Sequence, residues 1–335
     1  MRLRMPSLGR LLLYGPIALF AAGLGAYACR GFAMPGTRHQ GPLPPITDAQ
    51  RRLGEELRRD VTELAERIGE RNVAHPDQLE AASRYIATEL GRAGLVPIPQ
   101  EFTVRGVPCR NLAAELPGTD PIVIVGAHYD SALGTPGADD NASGVAALLA
   151  LARRLARNRP AGHTVRLVAF VNEEPPFFRT REMGSVRYAE AARVRGDRIA
   201  AMLSLEMLGY YSDAPDSQRF PPPLGIFYPT RGDFIGFVSD ADSVSLVRRV
   251  TGAFRDHAAF PALGAALPDG AAAGLSDHWA FWQIGVPAIM VTDTAMLRTP
   301  HYHEVTDRAA TVDFERTARV VEGLEAVVRD LVRAP

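Results

Sequence analysis

The stretch from Ile122 to Gly144 constrains the fold of this chain more than any other part of the sequence. Its first four residues are β-branched and run into Gly126, which is typical of a buried strand. The loop that follows carries one histidine and three aspartates, namely His128, Asp130, Asp139 and Asp140. Open α/β folds place ligand sites at such strand ends. Polar groups this dense beside a buried strand are destabilising unless a cation compensates them, so the stretch predicts a divalent metal site.

The order of strands and helices along the chain predicts the fold class. Apolar or alternating runs predict strands at residues 102–107, 111–115, 122–127, 165–171, 199–205, 226–228, 234–238 and 286–292. Helical periodicity and capping residues predict helices at 47–68, 77–92, 145–155, 243–257 and 312–332. Because strands alternate with helices, we expect an α/β fold with a mixed, mostly parallel, twisted sheet sandwiched between helices. No composition break or internal repeat divides residues 47–335, which predicts a single catalytic domain.

The first thirty residues have the features of a membrane-targeting segment. Three arginines precede an uncharged run at residues 11–28, which is about as long as the shortest bilayer spans. Since the positive charges come first, we expect residues 1–30 to anchor an extracytoplasmic body to the membrane. A cleaved signal peptide is an alternative because residues 26–28 read Ala-Tyr-Ala, and lipid attachment at Cys29 is another. The Gly- and Pro-rich residues 31–46 are predicted to be a linker.

The composition excludes several function classes. The 335-residue chain has a formal net charge of −1, which gives no reason to expect nucleic acid as a partner. It contains no lysine, so Schiff-base catalysis and a Walker-type phosphate loop are excluded. Two cysteines are too few for a disulfide framework. The sequence has no G-x-S-x-G motif, and His303-Glu304 lacks the second histidine of an H-E-x-x-H zinc motif.

Polar clusters also follow three other predicted strands. They are Glu173 with Glu174 after residues 165–171, Glu206 after residues 199–205, and His301 with His303 after residues 286–292. A single cluster of this kind is more often a solvated loop than a functional site. The carboxyl ends of parallel strands lie along one edge of a sheet, so we expect these clusters to meet in one place.

Six motifs carry a resemblance to a known family. GAHYDS, GADDNASG, NEE, LEMLGYY, SDHWAFWQIGVPAI and PHYHEVTD occur in this order. In residues, order and spacing they resemble the zinc-dependent aminopeptidases of the M28 family, over nearly all of residues 75–330. The resemblance implies a twisted, mostly parallel sheet between helices, two zinc ions, a peptide substrate and hydrolysis of N-terminal residues.

The resemblance also implies a role for each matched residue. The implied metal ligands are His128, Asp140, Glu174, Glu206 and His303. Asp140 would bridge the ions, with His128 and Glu206 on the first zinc and Glu174 and His303 on the second. Each ion would then have nitrogen and oxygen ligands and an open position for water.

Three further residues match positions around the metals. Glu173 matches the general base, which takes a proton from metal-activated water. Asp130 is expected to accept a hydrogen bond from the ligand imidazole, and Asp277 to do similar work near His303. Glu173 and Glu174 are consecutive, so they can serve different roles only if the backbone turns, and we expect that turn at Pro175-Pro176.

The chain departs from the family pattern in two places. A Pro-Pro-Phe-Phe loop at residues 175–178 follows the glutamate pair, and Glu206 stands where the best-known aminopeptidases have aspartate. Two alternatives to an aminopeptidase remain. One is a glutaminyl-cyclase-like acyltransferase, which uses one zinc and no hydrolysis. The other is a non-catalytic receptor or scaffold, which is disfavoured because every ligand position is occupied by a residue able to bind metal.

Overall fold

The computed structural model describes residues 31–220, 225, 228–268 and 272–333. The predicted anchor at residues 1–30 lies outside these ranges, as do residues 226 and 227 of the predicted strand 226–228. Within the described ranges, no helix combines the length and the apolar character needed to cross a membrane.

A single eight-stranded sheet forms the centre of the described chain. Its strands are β1 (Ile98–Val104), β2 (Val107–Leu116), β3 (Thr119–His128), β4 (His163–Phe170), β5 (Ile199–Glu206), β6 (Ile235–Asp240), β7 (Ala262–Leu267) and β8 (Ala288–Thr292). Their order across the sheet is β1-β2-β4-β3-β5-β8-β6-β7. Pairing is parallel between β3 and both β4 and β5, between β5 and β8, and between β6 and β7. The other three pairings are antiparallel, so the predicted mixed and mostly parallel sheet is confirmed.

Helices cover both faces of this sheet. They are α1 (Asp48–Thr62), α2 (Pro76–Arg92), α3 (Gly144–Arg157), α4 (Gly184–Arg195), α5 (Val244–His257), α6 (His278–Trp282) and α7 (Phe314–Val332). Val123 and Val125 of β3 belong to the large core with α1, α2, α3, α5 and α7. Ile124 points the other way, into a smaller core with α4 and α6. This alternation along one strand is what a sheet buried on both faces requires.

Three elements were not predicted from the sequence, namely β7, α4 and the five-residue α6. β7 has the sequence ALGAAL, whose small residues have low strand propensity, and it forms by pairing with β6 along the edge of the sheet. α4 contains arginines among small residues and shows no continuous apolar stripe. In β7 and α4, tertiary contacts outweigh the local preference of the sequence.

Residues 31–46 lie along the body of the protein instead of extending away from it. The Arg255 guanidinium on α5 donates to the backbone carbonyls of Met34 at 3.1 Å and Pro35 at 3.0 Å. Arg319 on α7 donates to the carbonyl of Pro44 at 2.8 Å. These contacts tie the segment to two helices of the domain.

Candidate metal centre

The carboxyl edge of the sheet brings the sequence-predicted side chains together. His128 ends β3 and Glu206 ends β5, and the glutamate pair follows the end of β4 at Phe170. Because β3 is hydrogen-bonded to both β4 and β5, these three strand ends are neighbours. The side chains of His128 and Glu206 are buried, which removes bulk water from around them.

Asp140 lies between two histidines and presents a different oxygen to each. Its Oδ1 is 3.5 Å from Nε2 of His128, and its Oδ2 is 3.2 Å from Nε2 of His303. Oε2 of Glu206 lies 3.4 Å from the His128 nitrogen, and Oε2 of Glu174 lies 3.1 Å from the His303 nitrogen. The five side chains therefore form two groups, each of one histidine and two carboxylates, which share Asp140.

This arrangement fits zinc. Ligand atoms about 2.0–2.1 Å from a tetrahedral zinc lie roughly 3.3–3.4 Å apart, and the four nitrogen–oxygen separations are close to that distance. Ligand atoms of His128, Asp140 and Glu174 all lie within 4.8 Å of one another. Nε2 of His128 and Oε1 of Glu174 are buried without hydrogen-bond partners among the described residues. Buried polar atoms are rarely left unpaired, and bound cations would satisfy these two.

Burial and mutual charge shift the protonation of these groups. Burial raises the pKa of Glu174 to about 8, and the Asp140 carboxylate adds to this shift while His303 opposes it. Burial lowers the pKa of His303, but hydrogen bonds to Asp140 and Glu174 outweigh it and raise the pKa to about 10. Histidine binds a metal only as neutral imidazole, so metal binding at this cluster releases protons.

Asp130 holds the backbone of the glutamate pair. Its two carboxylate oxygens accept hydrogen bonds from the backbone N–H of Glu173 and of Glu174, both at 3.1 Å. Nδ1 of His128 lies 3.3 Å from the backbone carbonyl oxygen of Asp130, within hydrogen-bond distance, and 3.5 Å from its carboxylate. Asp130 thus connects the strand end of His128 to that of the two glutamates.

The backbone turn that separates the two glutamates begins earlier than predicted. Asn172 has φ +60°, which directs the chain out of the strand before Pro175 is reached. Asparagine adopts this left-handed conformation more readily than most residues. After the turn, Oε2 of Glu173 lies 3.9 Å from Nε2 of His128, whereas Glu174 faces His303.

Asp277 does not lie where the resemblance suggested. No hydrogen bond or ion pair joins it to His303 in the described part of the chain, and the charged groups that affect it include His128 and Glu206. Burial raises the pKa of Asp277 to about 7, against the opposing charge of His128. The side chain is fully buried at the start of α6.

Asp307 was not predicted as part of the site. Its carboxylate accepts hydrogen bonds from the backbone N–H of Asp139 at 2.8 Å and of Asp140 at 3.0 Å. It belongs to the PHYHEVTD motif that also carries His303. The loop that carries Asp140 and the loop that carries His303 therefore meet at this residue. The motif contained the residue, but nothing in its spacing indicated a contact with Asp140.

Asn141 and Ser276 connect the site to Glu206. The Asn141 side chain donates to the carbonyl of Leu205 at 2.8 Å and accepts from the N–H of Met207 at 3.1 Å, so it holds the backbone on both sides of Glu206. The Ser276 hydroxyl donates to Oε2 of Glu206 at 2.6 Å. These contacts orient a side chain one methylene longer than the aspartate expected at this position.

Tyr302 stacks on the half-buried His303. The two ring centroids are 3.8 Å apart, with 18° between the ring planes. Burial raises the pKa of Tyr302, and the Asp140 and Glu174 carboxylates raise it further. The phenol therefore remains a hydrogen-bond donor at neutral pH.

Two cavities adjoin the centre. The first, which we term the apolar cavity, has a volume of about 140 Å³ and is lined by Glu206, Tyr302 and a set of mainly apolar residues that includes Phe220, Tyr228, Phe234, Val238, Leu267, Met290 and Met296. The second, which we term the polar cavity, has a volume of about 240 Å³ and is lined by residues that include Asp130, Glu174, Asn72, Asn172, Arg105 and Phe177. No lining residue is common to both cavities.

Sequence comparisons place the chain among known proteins. The model of Peptidase family M28 matches residues 111–328. A protein of Escherichia coli strain K12, described as uncharacterized protein YfbL, is 39% identical over 282 residues, which are 81% of this chain and 86% of that protein. Leucine aminopeptidase 1 of Trichophyton rubrum is 24% identical over 237 residues, which are 67% of this chain and 58% of that relative.

Solved structures share the fold. A zinc aminopeptidase from Bacillus subtilis superposes with a TM-score of 0.63 at 15% identity, covering 88% of this chain and 98% of the other. Glutaminyl cyclase from Porphyromonas gingivalis superposes with a TM-score of 0.62 at 19% identity, covering 83% of this chain and 98% of the other. The same architecture thus occurs in a zinc aminopeptidase and in a glutaminyl cyclase.

Proposed function

The chain belongs to peptidase family M28, and we propose that it is an aminopeptidase that works with two zinc ions. The observation that carries this proposal is the position of Asp140, whose two oxygens face His128 and His303 on opposite sides. A carboxylate in that position can serve two ions at once. Glu206 and Glu174 would complete the two ligand sets.

Glu173 is the residue best placed to move a proton. Zinc, when bound, lowers the pKa of a water molecule to about 7 and polarises the scissile carbonyl. Burial raises the pKa of Glu173 well above its usual range, and the charge of His128 opposes this shift. Each ligand group has its histidine and two carboxylates without Glu173. The Glu173 carboxylate is therefore free to take the proton of the water and to deliver it to the leaving amine.

The apolar cavity is suited to the side chain of the N-terminal residue. Glu206 and Tyr302 border it next to the centre, and the remaining wall is mainly aliphatic and aromatic. Burying a charged side chain there without a partner would be unfavourable. A leucine, methionine or phenylalanine side chain fits the chemistry of this wall.

We therefore expect kcat/KM for a leucyl substrate to exceed that for an alanyl substrate by about 10- to 50-fold, because each additional buried methylene contributes about 0.8 kcal/mol. Met296 lines the cavity and is 45% exposed, so it tolerates substitution. Met296→Glu should lower the preference for leucyl over arginyl substrates, whereas Met296→Leu should preserve it. Unchanged selectivity in Met296→Glu would show that the side chain binds elsewhere.

The glutaminyl-cyclase-like alternative differs in the number of metals and in the product. The two ligand groups that share Asp140 favour a two-metal aminopeptidase over a one-metal cyclase. Incubation with peptides that begin with glutamine or with leucine separates the two functions. A cyclised, pyroglutamyl product without release of free leucine would establish the transferase.

The targeting segment supports an extracytoplasmic location for the catalytic domain. The arginines precede the apolar run at residues 11–28, which favours a cytoplasmic N-terminus. A reporter that is active only outside the cytoplasm, fused after residue 40, is expected to be active. A reporter that is active only in the cytoplasm serves as the matched control, and its activity at the same fusion point would contradict the proposal.

A further inference from the structure

The polar cavity and the apolar cavity adjoin different residues of the metal centre. Glu174 borders the polar cavity and Glu206 borders the apolar one, and these two glutamates belong to the different groups that share Asp140. A peptide whose first side chain fills the apolar cavity is cleaved between the two. The part of the peptide after the cleaved bond is then directed into the polar cavity.

Arg105 is the one cationic side chain among the residues that line the polar cavity. Its guanidinium carbon lies 4.9 Å from the centre of the Phe177 ring. Arg105 shares the lining of this cavity with Glu174, one of the proposed zinc ligands. Each residue of an extended peptide adds about 3.3 Å, so a dipeptide or tripeptide with its cleaved bond at the metal centre extends into this cavity.

The charge of Arg105 is not paired within the described chain. The residue is exposed, and no hydrogen bond or ion pair to a carboxylate is found for it among the residues that the structure describes. The other charged residues that line the cavity, Asp130 and Glu174, are acidic, so the protein offers no second cationic side chain there. A negatively charged group entering the cavity is therefore most stable at the guanidinium, which pairs well with carboxylates.

The backbone at Arg105 gives a second reason to assign it a function. Arg105 has φ +50° and Gly106 has φ +83°, and the two form the hairpin turn between β1 and β2. Turns with two positive φ values favour Asn-Gly, and arginine is strained in the first position. The turn alone therefore does not account for an arginine here, and strained residues often serve binding sites.

We propose that Arg105 binds the C-terminal carboxylate of short peptides and makes the enzyme selective for dipeptides and tripeptides. This inference rests on the aminopeptidase function proposed above and adds the class of substrate. It gives Arg105 the role of binding the substrate residues after the cleaved bond, which the metal ligands do not contact.

The test compares free acids with their amides. The substrates are Leu-Ala and Leu-Ala-Ala, each with a free C-terminal carboxylate or a C-terminal amide, and the enzymes are the full-length protein, Arg105→Asn and Arg105→Lys. We expect the unmodified protein to cleave at least one free acid with kcat/KM about fivefold to tenfold above its amide, mainly through a lower KM. In Arg105→Asn this ratio should fall to about one because the acid loses affinity, while the amide is unaffected. Arg105→Lys should keep part of the ratio.

Asparagine is the matched substitution because it suits the turn, so Arg105→Asn should unfold at the same or a slightly higher Tm. Arg193→Asn, which removes an exposed arginine on α4, controls for the loss of one positive charge and should leave the ratio unchanged. Equal effects of Arg105→Asn on acids and amides, or no effect on either, would overturn the inference while leaving the aminopeptidase function intact. Failure of the unmodified protein to release leucine from any of the four substrates would overturn both.

Discussion

Glu173→Gln is expected to lower kcat by about 10²- to 10⁴-fold while the protein still binds its metals and its substrate. Glutamine keeps the shape of the side chain and the backbone N–H that donates to Asp130. It removes only the ability to accept a proton. All five proposed ligands remain in place, so KM should change little. The measurements are zinc content, kcat and KM on a leucyl substrate.

Glu174→Gln is the matched control, since it makes the same chemical change at the adjacent residue. Oε2 of Glu174 is 3.1 Å from Nε2 of His303, so this variant should weaken binding of one ion, and added zinc should partly restore the rate. Loss of zinc in Glu173→Gln together with retention in Glu174→Gln would mean that the two roles are exchanged. Full activity and full metal content in both variants would show that this strand end is not the catalytic edge.

Asp140→Ala is expected to remove both metals and to abolish hydrolysis. One oxygen of Asp140 faces His128 and the other faces His303, so truncation of this one side chain takes an oxygen ligand from each group. The amount of zinc bound per protein molecule is measured after dialysis. Circular dichroism and thermal unfolding establish that the variant is folded. Near-stoichiometric zinc in Asp140→Ala would show that Asp140 does not serve both ions.

Asp139→Asn separates this effect from a general disturbance of the loop. The Asp139 side chain forms no hydrogen bond or ion pair with His128 or His303 among the described residues, and it accepts a hydrogen bond from the N–H of Gly209 at 2.8 Å. Asparagine keeps an oxygen for that bond. We expect Asp139→Asn to retain zinc and activity, so a loss equal to that of Asp140→Ala would contradict the separate roles of these neighbours.

The sequence alone determined the class of fold and the edge of the sheet that carries the polar clusters. From Ile122 onward β3 is buried on both faces, so residues 122–127 must be apolar without alternation, and this pattern is readable locally. Parallel strands also place their carboxyl ends along one edge, which predicted that His128, Glu173 and Glu206 would be close. The individual roles required the six motifs, because a histidine or carboxylate at a strand end does not by itself specify zinc.

The tertiary structure decided the contacts between residues that are distant in sequence. The Asp307 carboxylate accepts a hydrogen bond from the backbone N–H of Asp140, which is 167 residues away in sequence. The Ser276 hydroxyl donates to Glu206, which is 70 residues away. No local pattern encodes such pairs, because they depend on which loops the sheet brings together. The same reason applies to β7, whose small residues form a strand only because β6 lies beside them. It also applies to Asp277, which α6 positions near His128 even though its motif suggested His303. Hydrophobic periodicity reports the burial of each residue, whereas the partner of a buried polar group is set by the packing of the whole chain.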